Sequence, residues 1–209
     1  MPIAARTPAA WAPAVTPEVH ARVLREIIRP AVEGMAADGT PYTGFLYAGL
    51  MIEPGGAVRT LEFNCRMGDP ETQPILVRMK SDLVDVVEQA LAGTLDRVSL
   101  EWDRRTAVGV VLAAGGYPDT PQKGDEIIGL PQSGAAIGDD CWVFHAGTAI
   151  DDGRIVTAGG RVLCVTALGD SPKIAQARAY RAIDSIRFEG MQYRRDIGSR
   201  AASGRHAPK

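Results

Sequence analysis

The chain has 209 residues, of which 45% are hydrophobic and 23% are charged, enough for one or two compact domains. A formal charge of -2 and a pI near 5.9 provide no basic surface for nucleic acid or an anionic membrane, so we expect neither as a partner. The three cysteines are widely separated, which indicates no disulfide framework or structural zinc site and favours a reducing cytoplasm. No apolar run approaches the ~20 residues of a membrane-spanning helix.

The N-terminal part is predicted to contain a disordered segment, a helix and a hairpin. Residues 1–13 are rich in alanine and proline, show no period and are predicted to be disordered. Thr16-Pro17-Glu18 is typical of a helix start, and Pro30 is expected to kink or split that helix. The apolar run at residues 45–52 predicts a central strand covered on both faces, and a glycine turn returns the chain as a second strand over residues 58–65.

The returning strand carries a polar motif. Side chains alternate between the faces of a strand, so Glu62, Asn64 and Arg66 should share one face. Glu62 and Asn64 could supply two oxygen ligands to a magnesium ion, which usually needs only one or two protein oxygens besides phosphates and water. The alternative is an ordinary solvated face of an antiparallel strand, and spacing alone favours that alternative.

The next segment predicts a corner and two helices. Residues 68–71 form a turn, and Pro74 should delay the first helix until about Ile75. The second helix is predicted to be capped by Ser81 and to pack its apolar stripe into a core. No base is visible near Cys65, so we interpret it as a buried small side chain rather than a nucleophile.

Near residues 101–105 the sequence becomes polar and charged, and short strands separated by glycine turns follow. This change predicts a domain boundary between a domain at 14–100 and an α+β domain at 106–198. Residues 199–209 are polar, without pattern, and predicted to be a disordered tail. The elements expected in the second domain are strands at 107–114, 126–128, 141–150, 155–157 and 161–168, followed by a helix that opens at Ser171-Pro172.

Several common catalytic signatures are absent from the sequence: the P-loop, the Rossmann glycine pattern, the nucleophile elbow and the zincin motif. His145 is interpreted as a packed strand residue rather than a ligand or base. The pairs Gly115-Gly116 and Gly159-Gly160 could bring backbone amides to an anion, but such pairs are more often turns.

Many segments of the sequence, in the same order along the chain, resemble one known family. They include residues 42–52, 62–66, 68–74, 78–83, 113–118, 144–148 and 159–169, and the match starts at about residue 12. The segments resemble phosphoribosylamine–glycine ligase (glycinamide ribonucleotide synthetase), an ATP-grasp enzyme family of purine biosynthesis. The resemblance implies an α+β fold: the C-terminal half of an ATP-grasp domain, an antiparallel sheet with helices, followed by a small α+β C-terminal domain.

The resemblance also implies a chemistry. Such ligases use ATP to activate glycine as an acyl phosphate, which the amine of 5-phosphoribosylamine then attacks. By the family motif, Glu62 and Asn64 would hold Mg²⁺ (or Mn²⁺) against the ATP phosphates, and Arg66 would be the catalytic residue that stabilises charge on the transferring group. Asp69 and Glu71 would serve the cofactor side of the site by fixing Arg66 and its loop.

The sequence also departs from this family. Its members are longer and carry, before this region, an amine-substrate domain and a small ATP-grasp subdomain with nucleotide-binding lysines. We therefore expect this chain to be inactive alone. The alternative is a non-catalytic subunit or remnant that docks onto a separate N-terminal half.

Overall fold

The computed structural model describes residues 15–53, 55–131, 136–138 and 140–203, so the disorder predicted for residues 1–13 lies outside the described residues. The helices are α1 Pro17–Val23, α2 Arg29–Ala37, α3 Thr72–Arg78, α4 Leu83–Leu91, α5 Pro172–Ile183 and α6 Ser199–Ala202, with a π-helix at Leu24–Ile28 and a 3₁₀-helix at Leu95–Arg97. The strands are β1 Tyr47–Ile52, β2 Val58–Asn64, β3 Thr106–Ala113, β4 Cys141–His145, β5 Thr148–Asp151, β6 Arg154–Thr157 and β7 Arg161–Gly169. In the part of the chain that the structure describes, no helix has the length and apolarity needed to cross a membrane.

The chain forms two compact units. The first contains the residues up to Gly68 together with Met79–Asp103, and the second contains Asp69–Arg78 together with Arg104–Ser203. The segment that carries α3 therefore belongs to the second unit, although the sequence placed it in the first domain. The sequence did not predict this placement of α3, because a helix of seven residues carries no local signal of the sheet against which it packs.

The first unit begins with a helical segment whose start is as predicted. The hydroxyl of Thr16 accepts a hydrogen bond from the amide of Val19 at 3.3 Å, and Pro17 occupies the first turn. The helix is split as expected: a π-helix at Leu24–Ile28 separates α1 from α2, and Pro30 lies in the first turn of α2. The wider π turn accommodates a residue that lacks an amide proton.

Strands β1 and β2 form an antiparallel hairpin with an irregularity between Gly49 and Leu50. The prediction of a central strand covered on both faces is wrong for this chain, because β1 pairs only with β2 among the described strands and Met51 is 53% exposed. An apolar run shows that a strand is suited to burial, but it cannot show that the covering element is present.

Helix α4 differs from its prediction in two respects. Its cap is Asp82, whose Oδ1 accepts from the amide of Val84 at 2.7 Å, while the Ser81 hydroxyl accepts from the amide of Glu101. None of its residues is buried, and Leu91 is 76% exposed. The predicted packing of its apolar stripe into a core is therefore wrong.

The second unit has an antiparallel sheet in the order β3-β7-β4 and a β5–β6 hairpin. Helix α5 starts at the predicted position, where the Ser171 hydroxyl accepts from the amide of Ile174. The core lies between α5 and one face of the sheet and contains Val108, Val110, Leu112, Val143, Val165, Ala175, Ala179 and Ile183. Helix α3 packs against β3 and β7, where Pro74 lies against Gly109 on the alternate face of β3.

Three predicted details of the second unit are corrected. Residues 141–150 form two strands, because the chain turns at Gly147, whose amide donates to the carbonyl of Arg161. Residues 126–128 make isolated bridges rather than a strand. Ser199–Ala202 form a helical turn where a disordered tail was predicted, and residues 204–209 lie outside the described residues.

Candidate functional site

The polar motif lies at the end of β2. Glu62 pairs in register with Gly49 of β1, and Asn64 pairs with Tyr47. Since they are two residues apart on one strand, the side chains of Glu62 and Asn64 share a face, as predicted. Glu62 is exposed and Asn64 is partly buried. A carboxylate and an amide side chain therefore belong to the same face of β2.

Gly49 makes room for the Glu62 side chain, although it was not selected as a site residue from the sequence. A Cβ atom at Gly49 would lie 3.0 Å from Cγ and 3.7 Å from Oε1 of Glu62. The carboxylate can lie across β1 because the opposite residue has no side chain. The signal available in the sequence was a single glycine inside an apolar strand, which often marks a close approach.

Arg66 lies two residues beyond the end of β2, so strand alternation does not fix its direction. Its Nη1 donates to the carbonyl oxygen of Met67 at 3.1 Å, and the residue is exposed. Neighbouring Cys65 is also exposed, which contradicts the prediction that it is buried. The pKa of the Tyr42 phenol is raised mainly by burial and to a smaller extent by the Cys65 thiol. The phenol donates a hydrogen bond to the carbonyl of Phe45 at 2.6 Å.

Asp69 forms an ion pair, and its partner is not the predicted one. The family resemblance implied that Asp69 and Glu71 fix Arg66 and its loop, but Oδ2 of Asp69 lies 3.1 Å from Nη2 of Arg161 in the second unit. Nη1 of Arg161 also donates to the main-chain oxygen of Asp69 at 3.3 Å. Glu71 is exposed, and its carbonyl accepts from the amide of Ile75 at the start of α3.

The other residues considered from the sequence and described by the structure, among them His145 and the pair Gly159-Gly160, do not form a metal site. The described residues contain no group of three or more His, Cys, Asp or Glu side chains that could hold a metal ion. His145 is exposed at the end of β4, with Nδ1 at 3.1 Å from the Thr148 hydroxyl, so the interpretation as a packed residue is wrong. The glycine pair Gly159-Gly160 forms the bend that leads into β7.

Two protein-family models match the chain. Residues 7–72 match "Phosphoribosylglycinamide synthetase, ATP-grasp (A) domain", and residues 107–200 match "Phosphoribosylglycinamide synthetase, C domain". The first match begins at residue 7, earlier than the resemblance read from the sequence.

Known relatives agree with these matches. The chain is 62% identical over 190 residues to phosphoribosylamine–glycine ligase of Ralstonia nicotianae and 60% identical to that of Pseudomonas aeruginosa, with 91% of this chain and 44% of each relative covered. The chain thus spans a little under half the length of these relatives.

Solved structures support the fold. The crystal structure of phosphoribosylamine–glycine ligase from Thermotoga maritima matches with a TM-score of 0.74 at 39% identity, covering 88% of this chain and 44% of that one. The biotin carboxylase domain of Hydrogenobacter thermophilus 2-oxoglutarate carboxylase, solved with MgADP, matches with a TM-score of 0.56 at 16% identity and shows the fold alone. These neighbours, together with the helices and antiparallel sheets, confirm the predicted α+β ATP-grasp fold. The chain therefore belongs to the phosphoribosylglycinamide synthetase family, with its two parts matching the ATP-grasp (A) and C domains.

Proposed function

We propose that this chain supplies the metal-binding strand and the C domain of an ATP-dependent phosphoribosylamine–glycine ligase of purine biosynthesis. In that reaction ATP converts glycine to glycyl phosphate, and the amine of 5-phosphoribosylamine displaces the phosphate. The observation that carries the proposal is the pair of oxygen donors, Glu62 and Asn64, on one face of β2 in a chain of this family. We place the reaction in the cytoplasm, where the three free cysteines would stay reduced.

The residues at β2 fit a hard divalent cation. A carboxylate and an amide oxygen are the ligand types that Mg²⁺ and Mn²⁺ prefer, and Gly49 leaves space for the carboxylate of Glu62. We therefore assign Glu62 and Asn64 as the metal ligands. A bound Mg²⁺ would neutralise charge on the ATP phosphates.

Arg66 has the properties of a group that meets the transferring phosphate. Its guanidinium is exposed and engages only a neutral carbonyl among its described hydrogen bonds, so its charge is free to attract an anion. We assign Arg66 to stabilise charge on the phosphate and the glycyl phosphate. Asp69 and Glu71 are assigned to support the cofactor side of the site through the loop that follows Arg66.

Binding of Mn²⁺–ATP to the purified chain tests this assignment. Replacing Glu62 with glutamine should weaken the affinity for Mn²⁺–ATP by about 10- to 100-fold, because the metal loses its one anionic protein ligand. Electron paramagnetic resonance of Mn²⁺ measures the change. The matched control is Glu53→Gln, since Glu53 is also a carboxylate of the hairpin region but pairs with Arg59. Equal affinities for wild type and Glu62→Gln would rule out this ligand.

The exposed apolar residues of the first unit favour a second candidate function, a subunit that completes the site with a separate N-terminal half. Leu61 and Phe63 of β2 are 65% and 45% exposed, next to the polar motif. Large apolar side chains exposed near one another are typical of a protein–protein contact. On this alternative the chain acts as a docking module rather than as a fragment of a single enzyme.

Association with the unmatched part of the Ralstonia nicotianae ligase tests the alternative. If it holds, the two chains should co-elute in size-exclusion chromatography, and Leu61→Ser should weaken the complex by about 10- to 100-fold because a buried leucine contributes ~1.5–3 kcal/mol. The control is Ile150→Ser, since Ile150 is 80% exposed on β5 of the second unit. Separate elution at micromolar concentration would refute the docking function.

A further inference from the structure

The ion pair between Arg161 and Asp69 connects residues that are 92 positions apart in the sequence. Both belong to the second unit. The guanidinium makes two contacts, one to the carboxylate at 3.1 Å and one to the main-chain oxygen of the same residue at 3.3 Å. Because Asp69 follows Arg66 by three residues, this two-point contact holds the chain immediately after the polar motif.

The backbone of Arg161 is held in place by its neighbours. Arg161 opens β7 and pairs with Ala113 of β3, and its carbonyl accepts from the amide of Gly147 at 2.9 Å. The preceding Gly160 lies against the ring of Tyr117, so closely that a Cβ atom there would overlap the ring. The guanidinium therefore extends from a backbone that is held from both sides.

The segment on the Asp69 side is also fixed. Pro74 of α3 fits against Gly109 of β3. A Cβ atom added at Gly109 would lie 2.9 Å from Cγ of Pro74. The side-chain nitrogen Nε2 of Gln73 lies 3.5 Å from Oδ1 of Asp69. This long contact leaves Oδ2 of Asp69 to pair with Arg161. The Gln73 side-chain oxygen is buried and has no hydrogen-bond partner among the described residues. The Asp69 carboxylate is thus oriented between an amide and a cation.

We infer that Arg161 is a positioning residue: it fixes Asp69 and with it the corner between the β2 motif and α3. The functional part of this inference rests on the function proposed above for the motif. The pair is roughly 40% exposed at both side chains, and surface ion pairs of this kind add little to global stability. Its effect is therefore local order of the segment that follows the polar motif in the chain.

Hydrogen exchange of the whole chain tests the positioning directly. In Arg161→Ala, the amides of residues 67–72 other than Pro70, which has no amide proton, should exchange about three- to tenfold faster, as expected for the loss of one charge-assisted contact. Arg161→Lys should recover part of the protection, because it keeps the charge but not the planar two-point contact. The control is Arg154→Ala, since Arg154 forms a comparably exposed pair with Glu126 at 3.6 Å. Unchanged exchange at residues 67–72 in Arg161→Ala overturns the inference.

Affinity for Mn²⁺–ATP tests whether this order matters to the motif. Arg161→Ala should bind Mn²⁺–ATP about three- to tenfold more weakly than wild type, with Arg161→Lys intermediate and Arg154→Ala unchanged, while the urea midpoint stays the same. Faster exchange with unaltered affinity would overturn the functional part of the inference. If wild type itself binds no Mn²⁺–ATP, the proposed function fails, and the exchange measurement still decides whether Arg161 holds the corner.

Discussion

Replacing Leu112 with alanine is expected to destabilise the second unit by about 2–5 kcal/mol, the usual cost of removing a fully buried leucine side chain. Leu112 lies on β3 with 0% exposure, inside the cluster that α5 and the sheet enclose. Neighbouring buried residues belong to paired strands and a packed helix, so they cannot move freely into the cavity.

Hydrogen exchange at the amides of β7 is the suitable measurement, because β7 is the central strand of that sheet and reports on the second unit alone. The control is Ile150→Ala, since Ile150 is a comparable aliphatic residue of the same unit but is 80% exposed. A loss smaller than about 1 kcal/mol in Leu112→Ala would contradict the core described here.

The two units differ in how much apolar surface they bury. Nearly all buried hydrophobic residues of the described chain lie in the second unit, and Val19 is the exception in the first. Leu61, Leu91 and Phe63 are instead substantially exposed. The second unit thus has a core of its own, whereas the first has elements suited to a core that the described residues do not enclose.

This difference explains which structural features could be predicted. Helix starts depend on a few adjacent residues, so the hydroxyls of Thr16 and Ser171 were recognisable in the sequence. The shared face of Glu62 and Asn64 follows from the period of a strand. These features are local, and their prediction does not require knowledge of distant residues.

The features that sequence reasoning missed depend on distant partners. Whether the apolar run in β1 is covered depends on which element packs against it, and the pairing of Asp69 with Arg161 joins residues 92 positions apart. No local pattern contains such information. The ligand assignment of Glu62 and Asn64 likewise came from a family resemblance, because the same alternation is produced by a solvated strand face.

The largest functional effect is expected for the chain assayed alone: incubated with glycine, 5-phosphoribosylamine and MgATP, it should give no turnover above background. Positioning of reactants can supply ~7–11 kcal/mol of the reduction in a reaction barrier. In the described chain Glu62 and Arg66 are exposed, so water has access to the residues that would meet the phosphates. A glycyl phosphate formed there would be open to hydrolysis rather than reserved for the amine.

A coupled assay of ADP release, with product formation measured in parallel, would detect even weak activity of the purified chain. The Ralstonia nicotianae ligase, of which this chain covers 44%, serves as the positive control. Turnover by the chain that disappears in Glu62→Ala would show that the described residues suffice for catalysis, and our expectation would then be wrong. ADP release without the ligation product would instead identify the step that this chain supports, because Glu62, Asn64 and Arg66 would then promote phosphoryl transfer without holding the acceptor amine.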